Sequence, residues 1–184
     1  MEWIPRLAER SDIPTLERLI EESSRRLLSG IYSAGQIERA LGPIFGVDEQ
    51  MIADGTYFVV GDDDEPIACG GWSFRESAFG GRAAGEGVSA RLNPIVDAAR
   101  IRAFFVHPRH VRKGIGTAIL HFCEDALVAC GFRRAEIAAT LAGEDLYRRF
   151  GYETNRYEEI PLCDDNPPLR IARMSKRFPG EDYS

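Results

Sequence analysis

The spacing of apolar residues along the chain predicts both helices and strands. Apolar positions about three or four residues apart are typical of an amphipathic helix, and short runs of β-branched and aromatic residues are typical of a strand. Strands are predicted over residues 3–8, 56–60, 66–74, 101–106, 134–140, 152–160 and 169–175. Helices are predicted over residues 11–27, 33–41, 48–53 and 144–150, and a further helix runs from Gly114 to Gly131.

Local signals set the ends of these helices. Ser11 is expected to cap the first helix, because its hydroxyl can accept from a free backbone N–H and Pro14 fits the first turn. Gly131 and Gly151 are expected to end the later helices. The order is strand, helices, three strands, helix, strand, helix and two strands. It predicts an α/β fold with a mixed sheet and helices on both faces.

No repeat or linker interrupts the chain, so residues 1–184 are predicted to form a single domain. Residues 75–98 are rich in glycine, alanine, serine and arginine, including Gly80, Gly81, Gly85 and Gly87, and show no sustained period. They are predicted to form a long loop. Two interpretations stay open: a lid or acceptor-recognition loop, or a tolerated insertion.

The stretch from Ile101 to Thr117 carries the strongest chemical signal. A strand ends at Pro108, and a basic turn with Arg109, Arg112 and Lys113 leads to glycines at the start of a helix. The first N–H groups of a helix have no intrahelical partner, and glycine lets an anion approach them closely. The stretch therefore predicts a phosphate site. The apolar face of the helix is predicted to consist of Ile115, Ile119, Phe122, Ala126 and Ala129.

Composition narrows the function classes. A formal net charge of −6 argues against a nucleic-acid partner, which needs a basic face. The sequence has neither a signal-peptide pattern nor an apolar run long enough for a membrane, so a cytoplasmic protein without a membrane partner is expected. Neither a metal site nor a disulfide framework is expected from the spacing of the cysteines and histidines, which are Cys69, Cys123, Cys130, Cys163, His107, His110 and His121. Cys69 is predicted to be a core residue.

Two motifs give the chain a family resemblance. One reads Val106-His107-Pro108 followed by Val111-Arg112-Lys113-Gly114-Ile115-Gly116, and the other reads Tyr147-Arg148-Arg149-Phe150-Gly151-Tyr152. With the element order, they resemble the GNAT superfamily of N-acetyltransferases, which implies a mostly antiparallel mixed sheet. Val111 stands where the family usually has Gln or Arg, and Thr140 stands where many members have Asn.

The resemblance implies that acetyl-CoA is the cofactor. The pyrophosphate would lie on the N–H groups of residues 112–117, and the pantetheine arm would pair with the backbone of residues 104–106 like an added strand. The implied acetyl-CoA-binding residues are Phe104, Phe105, Val106, Val111, Arg112, Lys113, Gly114, Ile115, Gly116, Thr117 and Tyr147.

The resemblance also implies a direct-transfer N-acetyltransferase, with the primary amine of a small molecule or peptide as acceptor. Tyr147 is the implied general acid, because its phenol, with an ordinary pKa of about 10, is close enough to a thiol to protonate the departing sulfur. A backbone N–H near Phe105 or Val106 would stabilise the oxyanion. A homodimer is compatible with the sequence.

The general base and the catalytic status stay open. Some family members have a carboxylate early in the central strand, but residues 99–103 contain none. His107, Glu76, Glu86, Asp97 and a water chain are the alternatives. A non-catalytic CoA-binding regulatory protein is a second interpretation. A dinucleotide-binding module is a third, for which Glu136 lies at a suitable distance but Ile119 occupies the third glycine position.

Overall fold

The computed structural model describes residues 3–62, 65–77, 89–163 and 167–179. Seven strands and five α-helices lie within these residues, in the predicted order. The strands are β1 (Arg6–Leu7), β2 (Tyr57–Gly61), β3 (Pro66–Ser73), β4 (Ala99–Val106), β5 (Arg134–Thr140), β6 (Glu153–Ile160) and β7 (Leu169–Arg177). The helices are α1 (Ile13–Leu27), α2 (Ala34–Ala40), α3 (Glu49–Ala53), α4 (Ile115–Ala129) and α5 (Glu144–Arg149).

All seven strands form one sheet in the order β1-β2-β3-β4-β5-β7-β6. Every neighbouring pair is antiparallel except β4 and β5, which run parallel and are joined through α4. The predicted mixed, mostly antiparallel α/β fold is confirmed. The parallel pair lies in the middle of the sheet, where both faces are covered.

Each face of the sheet carries its own hydrophobic core. Side chains alternate along β2, so Phe58 and Val60 point to one face while Tyr57 and Val59 point to the other. The first face packs against α4, and the second packs against α1, α2 and α3. The continuous apolar run of β2 is therefore the sequence of a strand that is buried on both faces.

The beginning of the chain differs from the prediction. Strand β1 is limited to Arg6 and Leu7, since Pro5 has no backbone N–H with which to extend the ladder. Ser11 lies within a short 3-10 turn and does not cap α1. Asp12 occupies the N-cap position of α1 without a side-chain bond to that helix; its carboxylate accepts from the Glu9 backbone N–H at 2.7 Å and pairs with Arg6.

The predicted apolar face of α4 is partly wrong. Ile115 and Ile119 are buried as expected, but Phe122 is 42% exposed and Ala129 is exposed. The rest of the buried face consists of Leu120, Cys123 and Leu127. Most residues of α4 are apolar, so the spacing of apolar positions alone allows two rotations of the helix, and contact with the sheet selects one.

The predicted long loop is held together at its two ends. The Leu92 N–H donates to the Phe74 carbonyl at 2.8 Å, and the Glu76 N–H donates to the Ala90 carbonyl at 3.1 Å. Residues 78–88, with all four glycines of the predicted loop, lie outside the described residues.

All four cysteines are free thiols, and Cys69 is fully buried as predicted. Within the described ranges no group of three or more histidine, cysteine or acidic side chains could hold a metal ion. None of the helices described here is both long and apolar enough to span a membrane.

Candidate functional site

Strands β4 and β5 separate halfway along their length. They pair at Ala99 with Ala135, Arg100 with Glu136 and Ile101 with Ile137, and no further pair follows among the described residues. A cavity of about 610 Å³ lies between the separated ends, with residues 102–106 on one side and residues 137–140 on the other. We call it the central cavity. It leaves one backbone edge of β4 without a partner strand, so a ligand can pair there.

A bulge in β4 accompanies this separation. The register with β3 shifts between Cys69 and Gly71, and Ala103 has a positive φ of 59°, which is rare for a residue with a Cβ atom. The Tyr57 hydroxyl, on β2, donates to the Ala103 carbonyl at 3.2 Å and so stabilises the bulge. The ring of Phe104 lies against Gly70, where an added Cβ would come within 2.7 Å of it. Glycine at position 70 is therefore needed for this placement of Phe104.

The turn before α4 closes one end of the central cavity. Arg112 and Gly114 have positive φ values of 62° and 80°, and Gly114 is the residue from which α4 begins. The Ala118 N–H donates to the Gly114 carbonyl, so the N–H groups of residues 115–117 have no intrahelical acceptor. Gly116 allows close packing, because an added Cβ would lie 3.3 Å from Leu146. The helix start predicted from the sequence, with free N–H groups, is present here.

Apart from Arg102, which is paired with Asp48, two arginines supply positive charge to the cavity wall. Arg112 lines it from the turn, and Arg149, which the sequence did not single out, lines it from α5. Lys113 and Arg109 are not among the described lining residues. The Lys113 carbonyl instead accepts from the indole N–H of Trp3 at 2.8 Å, which ties the beginning of the chain to the turn.

Tyr147 lies on the wall opposite β4. Its ring packs edge-on against Phe104, with centroids 6.0 Å apart, and against Tyr152 at the same distance. The side chain is buried, and burial raises the pKa of Tyr147 above its ordinary value. The Tyr147 hydroxyl has no hydrogen-bond partner among the described residues. Because its pKa is raised, the hydroxyl keeps its proton at ordinary pH values. Because it has no partner in the protein, it is free to bond with a ligand.

The structure brings together most of the residues predicted to bind acetyl-CoA. Apart from Lys113, all of them line the central cavity. Sequence reasoning missed the wall formed by α1 and the segment after α2, which includes Ser23, Ser24, Ile44 and Phe45. A signal was present, since the serine pair interrupts the apolar stripe of α1 between Ile20 and Leu27.

The candidate general bases that lie among the described residues do not line this cavity. The His107 ring accepts from the Arg109 N–H and lies 3.3 Å from Glu22, and the Asp97 carboxylate accepts from the Asn93 N–H. His107, Asp97 and Glu76 are all absent from the described lining residues. Glu86 lies outside the described residues.

Two hydroxyl groups fix the surroundings of the cavity. Thr140, in the slot where asparagine was noted as usual, lines the cavity and accepts from the Gly143 N–H at 3.3 Å, which orders the turn before α5. The Tyr32 hydroxyl donates to the Arg170 carbonyl at 2.6 Å and accepts from the Leu141 N–H at 3.0 Å. These bonds connect the α1–α2 loop to β7 and β5, so the α1 wall is held in place over the gap between the strands.

Glu136 argues against the dinucleotide interpretation. It forms an ion pair with Arg100 in the half of β4 and β5 that is still paired, and it is absent from the described cavity wall. An acidic residue at that position cannot contact a ribose bound at the start of α4.

Comparisons with known proteins agree with this geometry. A family model described as acetyltransferase (GNAT) domain matches residues 53–154. No curated protein sequence matches the chain.

Several solved structures share the fold. A GCN5-related N-acetyltransferase from Rhodopseudomonas palustris superposes with a TM-score of 0.69 at 17% identity, covering 97% of each chain. The PaiA N-acetyltransferase of Thermoplasma acidophilum, in complex with coenzyme A, has a TM-score of 0.63 at 15% identity, covering 97% of this chain and 100% of the other. YncA from Salmonella typhimurium, with acetyl-CoA, has a TM-score of 0.63 at 12% identity, covering 100% and 98%.

Proposed function

Because the chain belongs to the GNAT acetyltransferase family, whose members use acetyl-CoA, we propose that it transfers an acetyl group directly to the primary amine of a small molecule or peptide. The observation that carries the proposal is the central cavity, which opens where β4 and β5 separate and has Tyr147 on its wall. A free strand edge, a helix start with free N–H groups and a neutral phenol face the same space.

The residues present fit acetyl-CoA. The N–H groups of residues 115–117 and the guanidinium groups of Arg112 and Arg149 would hold the pyrophosphate, since an anion is stabilised both by a helix start and by charged donors. The unpaired edge of β4 from Phe104 to Val106 would hold the amide groups of the pantetheine arm.

Acetyl-CoA supplies an acetyl thioester when bound: the amine nitrogen bonds to the carbonyl carbon, the carbon–sulfur bond breaks, the sulfur gains a proton and the nitrogen loses one. The backbone N–H of Phe105 or Val106 would donate to the carbonyl oxygen as negative charge develops on it. The products are an N-acetylated amine and free coenzyme A.

Tyr147 would give the proton to the sulfur. Burial raises its pKa, which lowers its acidity relative to a phenol in water. The same burial opposes a negative charge on the sulfur, so both anions are disfavoured in this space and proton transfer between them stays feasible. The raised pKa also ensures that the acid is protonated before each turnover.

Replacement of Tyr147 by Phe tests this role. We expect Tyr147→Phe to lower kcat by about a hundredfold, the usual contribution of a general acid, with little change in the affinity for acetyl-CoA. The measurements are thiol release during turnover with an amine and calorimetric titration with acetyl-CoA. Tyr157→Phe is the matched control, because Tyr157 is 47% exposed on β6 and is not among the described lining residues.

Each outcome bears on a different part of the proposal. Unchanged kcat in Tyr147→Phe would remove Tyr147 as the acid. Acetyl-CoA binding by the wild-type protein without thiol release for any amine would favour the non-catalytic CoA-binding interpretation. The absence of acetyl-CoA binding would overturn the enzyme proposal.

A further inference from the structure

A second cavity adjoins the central cavity on the side of α1. Its volume is about 620 Å³, and α1, the segment 41–50 and the paired ends of the long loop at Ser77 and Ser89 contribute to its wall. Phe45 and Arg102 line both cavities. A molecule in this second cavity is therefore next to the unpaired edge of β4. We call it the acidic cavity.

The acidic cavity carries an excess of negative charge. Among the described residues, five carboxylates and two guanidinium groups line it: Glu17, Glu21, Glu38, Asp48, Glu49, Arg25 and Arg102. The difference is a net charge of −3. Such a wall attracts cations and raises their local concentration, and it repels anions.

Both arginines are already paired within the protein. Arg25 donates to Glu38 at 2.7 Å and to Glu21 at 3.0 Å. Arg102, buried in β4, donates to Asp48 at 2.8 Å and also to the Ser77 carbonyl. An anionic ligand would have to compete with these bonds. Glu17 and Glu49, in contrast, are exposed and have no cationic partner among the described residues.

A buried hydroxyl without a partner lies on the same helix. Ser24 is 1% exposed and lines the central cavity, and its oxygen makes no hydrogen bond within the described part of the chain. Polar groups that are this deeply buried are normally bonded, so an unpaired one indicates a ligand group. Residues 17, 21 and 24 are three or four positions apart and thus share one face of α1, which connects the two cavities.

We infer that the acceptor is a linear amine with a second positive charge, such as a diamine or an amine next to a basic side chain. This inference rests on the proposed N-acetyltransferase function and adds the acceptor class. The reacting nitrogen lies near Ser24, whose hydroxyl receives a hydrogen bond from it, and the distal cation lies between Glu17 and Glu49. Glu17 and Ser24 are two helical turns apart, about 10 Å along α1, so the two nitrogens need a comparable separation.

Three acceptors of equal length provide the test: an α,ω-diamine, the n-alkylamine and the ω-amino acid. Thiol release with acetyl-CoA is measured for each across a series of chain lengths. We expect the diamine to have about a tenfold higher kcat/KM than the alkylamine, since two exposed carboxylates each contribute modestly to cation binding. The ω-amino acid is expected to be the poorest. The preference for the diamine should fall as salt is added, because exposed charges are screened.

Variants test which residues cause the preference for the diamine. The double variant Glu17→Gln and Glu49→Gln is expected to bring the ratio of diamine to alkylamine kcat/KM close to one. Glu153→Gln, which removes an exposed carboxylate from β6, is the matched control and should leave the ratio unchanged. Ser24→Ala is expected to raise KM for all amines without changing the affinity for acetyl-CoA. Circular dichroism checks that each variant is folded.

The outcomes separate this inference from the proposed function. Equal efficiency with the diamine and the alkylamine would overturn the inference and leave the N-acetyltransferase standing. An unchanged ratio in the double variant would also overturn it. The absence of thiol release with every amine would overturn both.

Discussion

At the scale of single residues, the site depends on two residues whose backbone conformation is unfavourable for any residue with a Cβ atom. Ala103 and Arg112 are the non-glycine residues with positive φ in the described structure, and each lies at one end of the central cavity. A residue with a Cβ atom in this conformation costs about 1 kcal/mol or more. Such strain is retained where contacts with the surrounding structure hold the residue in place. At Ala103, the hydrogen bond from the Tyr57 hydroxyl to the carbonyl is one of these contacts.

Substitution at Ala103 tests the strain. Ala103→Val should lower the free energy of unfolding by about 2 kcal/mol, because a β-branched side chain fits this conformation poorly. Ala103→Gly should leave stability unchanged or raise it by up to about 1 kcal/mol, since glycine adopts positive φ freely. Urea denaturation gives both values. Equal destabilisation by the two variants would show that side-chain packing, and not the backbone, decides this position.

At the scale of elements, ion pairs join helices to strands around the acidic cavity. Asp54 follows α3, and Arg75 follows β3. The Arg75 guanidinium donates two hydrogen bonds to the Asp54 carboxylate, at 2.6 Å and 2.7 Å, and both side chains are about 90% buried. A bond from Arg75 to the Ser89 carbonyl extends this connection to the far end of the loop. The contact therefore fixes the loop end that forms part of the cavity wall.

Removal of this carboxylate should destabilise the protein in a pH-dependent way. Arg75 holds the pKa of Asp54 below its ordinary value, so the stabilisation is complete above that ordinary pKa and disappears as the pH falls through the lower, folded value. We expect Asp54→Asn to cost about 2 kcal/mol at neutral pH and clearly less near pH 3.

Urea denaturation across the pH range measures this cost. Asp125→Asn, at an exposed position on α4, serves as the control and should have little effect. A cost for Asp54→Asn that does not change with pH would mean that shape, and not charge, holds the two elements together.

At the scale of the whole molecule, the sheet is divided between a continuous half and an open half. β4 is paired with β3 along its length but with β5 only at its beginning. The open half lies between α1 on one face and the start of α4 on the other, so a single gap reaches both cores. A ligand strand in this gap would complete the hydrogen bonding of the sheet.

Coenzyme A should therefore protect a specific part of the sheet. We expect slower amide hydrogen exchange at residues 104–106 and 115–117, together with a rise in Tm of about 5–10 °C when the ligand is in hundredfold excess over its Kd. NADH, which has a pyrophosphate but no pantetheine arm, is the control and should not protect β4. Protection of β4 that is equal with both ligands would contradict pairing along the strand.

The sequence by itself determined the element order, the fold class and the part of the central cavity wall that is formed by β4, the start of α4 and Tyr147. These features follow from local rules: apolar periodicity, Gly114 and Gly116 at a helix start, and the spacing of Tyr147 from Gly151. Each of these features depends on residues that lie within about one helical turn or one strand of each other in the sequence. Each can therefore be predicted from the local sequence alone.

Only the tertiary structure decided which distant residues meet. The rotation of α4 that exposes Phe122, the bulge at Ala103 and the wall contributed by Ser24 and Phe45 depend on contacts between elements far apart in the chain. The acidic cavity has the same origin, because Glu17 and Glu49 come to line one cavity only after α1 and α3 pack on one face of the sheet. The energies of such packing come from contacts between residues that are far apart in the sequence. A local sequence pattern does not predict these contacts.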